Sequence, residues 1–386
     1  MKIAVPKETS PSERRIALVP QGCKTLVNKG LTVSIESKAG ENAGFSDENY
    51  TQAGASIETS RRALFSSADC VLMVSGPSDD DSEHDLLANL KEGCVWISFI
   101  FPMSNPKTVK RLAEKRITAF AMDLVPRISR AQSMDALSSM SAVAGYKAAL
   151  IAANSVQKFL PMMMTAAGTL PPAHVFVIGA GVAGLQAIAT CKRLGATVEA
   201  FDVRPAVKEQ VESLGARFVG LGLTADELED ASGYAKEVSA DTYAKELELI
   251  ASKLPRCDIV ITTALIPGKP APVLLTKEMV KLMPKGSVIV DIAAPNGGNC
   301  ELSTPGEVTQ HDGITIVAPL NLPSEMATHS SIMYSKNITE FLLHLVRDGQ
   351  FYFDMEDEIT RSTMVTFEGK IMHEPTRLAM ERGITL

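Results

Sequence analysis

The fold class predicted by the sequence is α/β, with two wound parallel-sheet domains. Three observations predict it. Short apolar runs rich in Val and Ile alternate with helical stretches along most of the 386 residues, a pattern that implies parallel sheets covered by helices. One such run, ending at Ile178, passes straight into a glycine turn and then a second helical stretch. The tail from Ser335 holds one amphipathic helix, Ile338–Val346, then polar, turn-rich segments, and is expected to return to the first domain.

The elements follow in order. Lys2–Val5 is a strand, and a helix follows near Gln21–Lys29. Thr32–Glu36 is a strand, and Asp47–Ala53 a short helix with Ser46 as its N-cap. Cys70–Val74, Val95–Ile100 and Thr118–Met122 are strands, with a helix at Lys107–Glu114 before the last. In the second domain, strands Val175–Ile178, Thr197–Phe201, Ile259–Thr263, Ser287–Ile292 and Thr315–Val317 are expected, with a helix at Leu185–Leu194. The expected boundaries are 1–134, 135–325 and a C-terminal segment 326–386 that packs back on the first domain.

The glycine turn carries the chemistry. Gly179, Gly181 and Gly184 have the G-x-G-x-x-G spacing, and Asp202 ends the next strand 18 residues after the last glycine. With the strand before and the helix behind, this is the dinucleotide fingerprint in its full context, so the second domain is predicted to be a Rossmann domain. Gly179 permits the tight turn, Gly181 the approach of a pyrophosphate, and Gly184 close helix–strand packing. The helix N-terminus offers N–H groups and the positive dipole end to phosphates. Ala180 and Val182 lie in the turn; Val203 and Arg204 follow Asp202. A carboxylate at Asp202 accepts hydrogen bonds from a ribose 2′-OH and repels a 2′-phosphate, which favours NAD(H) over NADP(H). Arg204 pulls the other way, but Asp202 holds the strand end.

Composition narrows the classes. The net charge is −7 and no long basic block occurs, so nucleic acid is not an expected partner. The six cysteines are scattered without a C-x-x-C pair, as in a reducing compartment, and are expected to be small core residues. The histidines lack metal spacing, and no metal site is expected. No signal peptide is expected before the first strand. Phe159–Cys191 has no charged residue and is long enough to span a bilayer. Its prolines and the fingerprint within it predict instead a Met-rich helix end, a proline-bounded connection and a buried strand, and hence a soluble chain. The polar connection Gly220–Leu249, with eight acidic and two basic residues from Asp226 onward, is either a binding loop or a solvated helix surface. In a doubly wound sheet the loops Thr262–Pro272 and Asp291–Asn299 lie at the strand ends where ligands bind.

Longer motifs are more specific. Pro126–Ser139, Met162–Gly168, Thr262–Pro272 and Gly297–Cys300 together resemble the NAD(H)-binding component of proton-translocating nicotinamide nucleotide transhydrogenases. The resemblance runs over essentially the whole chain. It implies hydride transfer from NADH to NADP⁺ held by a partner, coupled to proton movement. It implies a homodimer, with membrane-spanning and NADP(H)-binding subunits as partners, at the cytoplasmic face of a bacterial inner membrane. By this resemblance Arg127, Asp135 and Ser138 hold the nicotinamide end and Gln132 reaches the second nucleotide. Tyr234 belongs to a closing loop, and Thr262, Thr263 and Ala264 line the site. From the residues alone, Arg127, Arg130 and Asp135 are better read as a surface ion cluster at a helix entry; the resemblance reverses that reading.

Alanine dehydrogenases share the fold and are the rival; a non-catalytic NAD(H) sensor is the third possibility. In the dehydrogenases a Lys, a His and an Asp activate the substrate. The corresponding positions here are Ser75, Phe101 and Pro295, while Arg15 remains. Imine reduction needs a proton donor within hydrogen-bond reach, and Phe and Pro cannot supply one. Hydride transfer between two nicotinamides needs no such proton.

Overall fold

The computed structural model describes residues 1–77, 87–222, 239–266 and 269–381. The chain divides into two compact units, Met1–Met140 with Ser324–Leu386, and Ser141–Pro323.

The first unit is built on an eight-stranded sheet. Its order is Lys370–Ile371, Met364–Phe367, Thr118–Ala121, Val95–Phe99, Cys70–Ser75, Lys2–Val5, Thr32–Glu36, Ser56–Glu58. Six strands are parallel; the tail strand Met364–Phe367 joins Thr118–Ala121 antiparallel. The central strands are mostly apolar and almost wholly buried because both faces are covered. Ile3 and Val5 enter one core with Tyr50, Tyr334 and Phe341, while Ala4 enters the other with Trp96 and Val365. The tail therefore supplies core on both faces. The tail helix is longer than the sequence suggests, running over Ala327–His344. Ser46 caps Asp47–Gln52 in a reciprocal box: Asn49 N–H donates to Ser46 Oγ (3.4 Å) and Ser46 N–H to Asn49 Oδ1 (2.9 Å).

The second unit holds a seven-stranded sheet, ordered Arg217–Val219, Thr197–Phe201, His174–Ile178, Ile259–Thr262, Val288–Asp291, Ile314–Val317, Val308–His311. All neighbours are parallel except the last pair. The order reverses between His174–Ile178 and Ile259–Thr262, which is the switch point where doubly wound sheets bind ligands.

Two segments depart from expectation. Helix Ala136–Ser155 has no counterpart among the expected elements, and by length and composition it could cross a membrane. Part of its apolar surface is core. Ala136 and Met140 are buried in the first unit's core, and Ala144, Ala148, Ala149 and Ala152 in the second's. A Cβ on Gly145 would lie 1.9 Å from the Ala183 carbonyl oxygen, so only glycine lets this helix meet the fingerprint helix there. In Phe159–Cys191 the expected Met-rich helix end is instead an exposed hairpin, Met163–Thr165 with Gly168–Leu170. Gly168 at φ +111° allows the reversal, and the Thr165 hydroxyl bridges it, accepting from Ala167 N–H and donating to Gly168 O, both at 3.1 Å.

Candidate functional site

The fingerprint turn joins strand His174–Ile178 to helix Val182–Arg193, and each glycine meets a separate physical demand. Gly179 has φ +94°, and a Cβ there would lie 2.7 Å from Thr263 Oγ1. A Cβ on Gly184 would lie 1.8 Å from the Gly179 carbonyl oxygen. Gly181 differs: among the described residues beyond its chain neighbours, the nearest atom to a Cβ would be Arg204 Nη2 at 4.0 Å. Its side is therefore open, which suits a ligand that must touch backbone. The helix has no acidic residue in its first turn, and Lys192 and Arg193 lie in its last. Its N-terminal field is thus left uncancelled for an anion. The cradle fits a pyrophosphate.

Asp202 is 6% exposed and already well bonded. Its Oδ2 accepts from Ala180 N–H (2.7 Å) and its Oδ1 from Arg204 N–H (2.9 Å). The Arg204 guanidinium grips both oxygens, Nε to Oδ1 and Nη2 to Oδ2, each at 2.9 Å. Arg204 is thus a bidentate partner of Asp202. Val203 is half-buried against the core beneath.

Two loops close the strand ends, and what joins them is not legible in the sequence. Asn299, fully buried, accepts from Ala264 N–H (3.0 Å) and donates to the carbonyls of Ala264 (2.9 Å) and Pro272 (2.8 Å). Asp291 accepts from the backbone of Ala293, Asn299 and Cys300 and from the Ser303 hydroxyl. Thr262, expected to line the site, is fully buried with its hydroxyl on Asp291 (2.8 Å); its side chain braces the sheet end instead. Thr263 Oγ1 donates to Gly179 O (2.9 Å) and so ties one loop to the fingerprint turn. The sequence signals for Asn299 are the unusual Gly297–Cys300 run and its place in the strand-end loop Asp291–Asn299.

Glu246 also escapes sequence reasoning. The later stretch of the polar connection is helix Ala240–Lys253, capped by Ser239. Glu246 is 3% exposed, and its Oε1 has no hydrogen-bond partner among the described residues. Burial, and then the charge of Asp202, push its carboxyl up to about 7. Tyr234 and the Ser232–Ala235 loop lie outside the described residues. Among the described residues no cluster of His, Cys, Asp and Glu is placed to hold a metal, and all six cysteines are buried.

In the first unit, Arg127 and Gln132 are exposed, Gln132 on a 3₁₀ turn, Ser129–Met134. Asp135 caps helix Ala136–Ser155: its Oδ1 accepts from Ser138 N–H (2.8 Å) and its carbonyl from the Ser139 hydroxyl (3.0 Å). Of the three residues that could form a surface ion cluster, Arg130 pairs with Asp357 of the tail. Ser75, Phe101 and Pro295, which the resemblance sets against the rival's acid–base residues, carry no acidic or basic side chain. Ser75 N–H donates to Glu8 (3.2 Å). Phe101 is an exposed ring at φ +49°, its N–H on Asp123 (3.1 Å). Pro295 lies in the short turn Ala294–Asn296. Arg15 remains but is buried and forked onto Glu13, at 2.7 and 2.6 Å.

Comparison with known proteins identifies the family. Residues 4–144 match the family model "Alanine dehydrogenase/PNT, N-terminal domain", and residues 148–374 match "Alanine dehydrogenase/PNT, C-terminal domain". An NAD(P) transhydrogenase alpha-subunit protein of Rhodospirillum rubrum is 48% identical over 97% of this chain and 98% of its own length. An alanine dehydrogenase of Methanococcus maripaludis is 29% identical over 100% of this chain and 98% of its own. The crystal structure of a transhydrogenase from Sinorhizobium meliloti superposes with a TM-score of 0.85 at 42% identity, over 96% of this chain and 100% of that one. The chain belongs to the alanine dehydrogenase/PNT family, and within it to the alpha subunits of NAD(P) transhydrogenase.

Proposed function

We propose that this chain is the NAD(H)-binding subunit of a proton-translocating transhydrogenase. It binds NADH and presents it to NADP⁺ on a partner subunit, so that NADH + NADP⁺ becomes NAD⁺ + NADPH, coupled to proton translocation. The observation that carries the reading is a contrast. The dinucleotide cradle at Gly179–Gly184 and Asp202 is intact, whereas Ser75, Phe101 and Pro295 stand where an amino-acid dehydrogenase needs a proton-transferring group. The Rhodospirillum rubrum relative supports it by name. The nicotinamide supplies the hydride from its C4; no substrate oxygen or nitrogen changes protonation.

The roles of the chain's residues are then to bind, orient and exclude water. The N–H groups at Ala180–Val182 and the helix N-terminus take the pyrophosphate. Asp202 takes the adenosine ribose, with Val203 and Arg204 behind it. Thr263 and Ala264 border the cofactor and Thr262 backs them. Arg127, Asp135 and Ser138 hold the nicotinamide end, and Gln132 extends toward the partner's nucleotide. Tyr234 closes on bound nucleotide. In this reading the chain forms a homodimer and sits peripherally at the cytoplasmic face of a bacterial inner membrane, with membrane-spanning and NADP(H)-binding subunits as partners.

The test is to mix the purified chain with a transhydrogenase NADP(H)-binding component, NADH and an NADP⁺ analogue. Reduction of the analogue only in the mixture is expected. NADH oxidation by the chain alone with pyruvate and ammonia would overturn the reading in favour of an amino-acid dehydrogenase. Tight NADH binding with neither activity would make the chain a sensor.

A further inference from the structure

The turn that carries Gln132 is held at two points by residues far away in sequence. Ser129–Met134 is a 3₁₀ turn of six residues, longer than such turns usually persist without support. From beneath, Ala131 (fully buried) and Met134 anchor it in the core. From the side, Asn337 Nδ2 donates to Ser133 O at 2.8 Å. At the other end Arg130 Nη1 donates to Asp357 Oδ1. The two ties flank Gln132, one residue after it and two residues before it.

Both supports are themselves fixed. Asn337 is 6% exposed on helix Ala327–His344. Its Oδ1 is buried with no hydrogen-bond partner among the described residues, a cost that a purely structural position has no reason to keep. Asp357 caps helix Glu358–Thr363, accepting from Thr360 N–H (2.8 Å), and His344 Nε2 lies 3.0 Å from its Oδ2. Burial opposes its ionisation, but the bonds from Thr360, Arg130 and His344 outweigh it and hold its carboxyl well below the usual carboxylate range. Asn337 and His344 are seven residues apart, so one face of a single helix backs both ties. An exposed ion pair contributes little stability, and Arg130 is 53% exposed. What a preset carboxylate can contribute is position.

We propose that Asn337 and the Asp357–Arg130 pair are positioning residues that hold the Gln132 turn in the geometry needed for hydride transfer. The proposal rests on the role given to Gln132 above. A misplacement of about 1 Å at a reacting centre can cost on the order of a hundredfold in rate. These residues therefore act on transfer and leave NADH binding alone.

The test uses Asn337→Leu, Arg130→Gln and Asp357→Asn. The last keeps a capping side chain at Asp357, and Arg130→Gln changes an exposed residue, so at least two of the three variants are expected to fold as the parent does. In the mixture with the NADP(H)-binding component, single-turnover transfer is expected to fall about tenfold or more. NADH affinity of the chain alone is expected to stay within about twofold, with unchanged melting for Arg130→Gln. Combined with Gln132→Asn, each variant should add no further loss, because both changes act through one side chain. Transfer rates at the parental level, additive losses, or losses of NADH affinity equal to the loss in rate would each overturn the proposal. If Gln132→Asn alone transfers at the parental rate while the tether variants are slow, the role of Gln132 fails and so does positioning through it. Parental tether variants beside a slow Gln132→Asn would sink only the tethers.

Discussion

Replacing Glu246 by Gln should make the protein more stable at pH 8 and change little near pH 4.5. The carboxyl is 3% exposed, and one oxygen has no partner among the described residues. Its value moves from 4.5 to about 7 in the fold, first through burial and then through the Asp202 charge. Between those two values the native state keeps a proton that the unfolded chain has released. Stability therefore falls as pH rises through that window, and above it the fold carries a buried charge at full cost. At about 1.36 kcal/mol per pH unit the shift corresponds to about 3 kcal/mol. Gln has nearly the same shape and no charge, so it removes that slope. Urea unfolding followed by circular dichroism at pH 5, 6, 7 and 8 measures it. With a slope on the order of 2 kcal/mol/M, the variant's midpoint at pH 8 should lie roughly 1.5 M above the parent's. Parallel stability curves for the two proteins from pH 5 to 8 would refute the reasoning, since they would mean that Glu246 is solvated or paired.

The fingerprint supplies a matched pair of tests. Gly181→Ala adds a methyl with no atom of the described residues, beyond its chain neighbours, closer than 4.0 Å, so melting should hold within a degree or two while NADH affinity drops at least about tenfold, as seen by fluorescence titration. Gly184→Ala places a methyl 1.8 Å from a backbone oxygen and should destabilise by about 2 kcal/mol or more in addition to losing NADH; a normally stable Gly184→Ala would contradict the packing. Asp202→Ala should weaken NADH and, by releasing the Arg204 fork, tighten NADPH; an unchanged preference between the two would show that Asp202 does not select the cofactor. Gln132→Asn should slow transfer far more than it weakens NADH binding, and equal losses in both would reduce it to a cofactor contact.

How much is legible depends on how local each feature is. Strands such as Lys2–Val5, Thr32–Glu36 and Thr197–Phe201 can be read at their observed bounds because their apolar, β-branched runs are buried on both faces. The fingerprint is legible because its demands are set within a single strand–turn–helix: a positive φ at Gly179 and a close approach at Gly184. Helix Ala136–Ser155 escapes because it has almost no hydrophobic periodicity, being packed on several sides in two cores. The exposed Met163–Leu170 hairpin is hidden by its own apolar residues, which suggest burial.

The sequence by itself determined the fold class and the glycine spacing of the Rossmann fingerprint. Each of these rests on residue identity or on spacing over a few residues. Only the tertiary structure decided what Asp202 and Arg204 do to one another, that Asn299 braces two loops, that Glu246 is buried without a hydrogen bond to its Oε1 among the described residues, and that Asn337 and Asp357 tie the Gln132 turn. The reason is physical. Hydrogen-bond partners and burial are set by which distant segments the sheet order brings together, and for the Arg130–Asp357 tie that separation is 227 residues. No local pattern encodes a contact of that span; it exists only once the tail has returned to the first sheet.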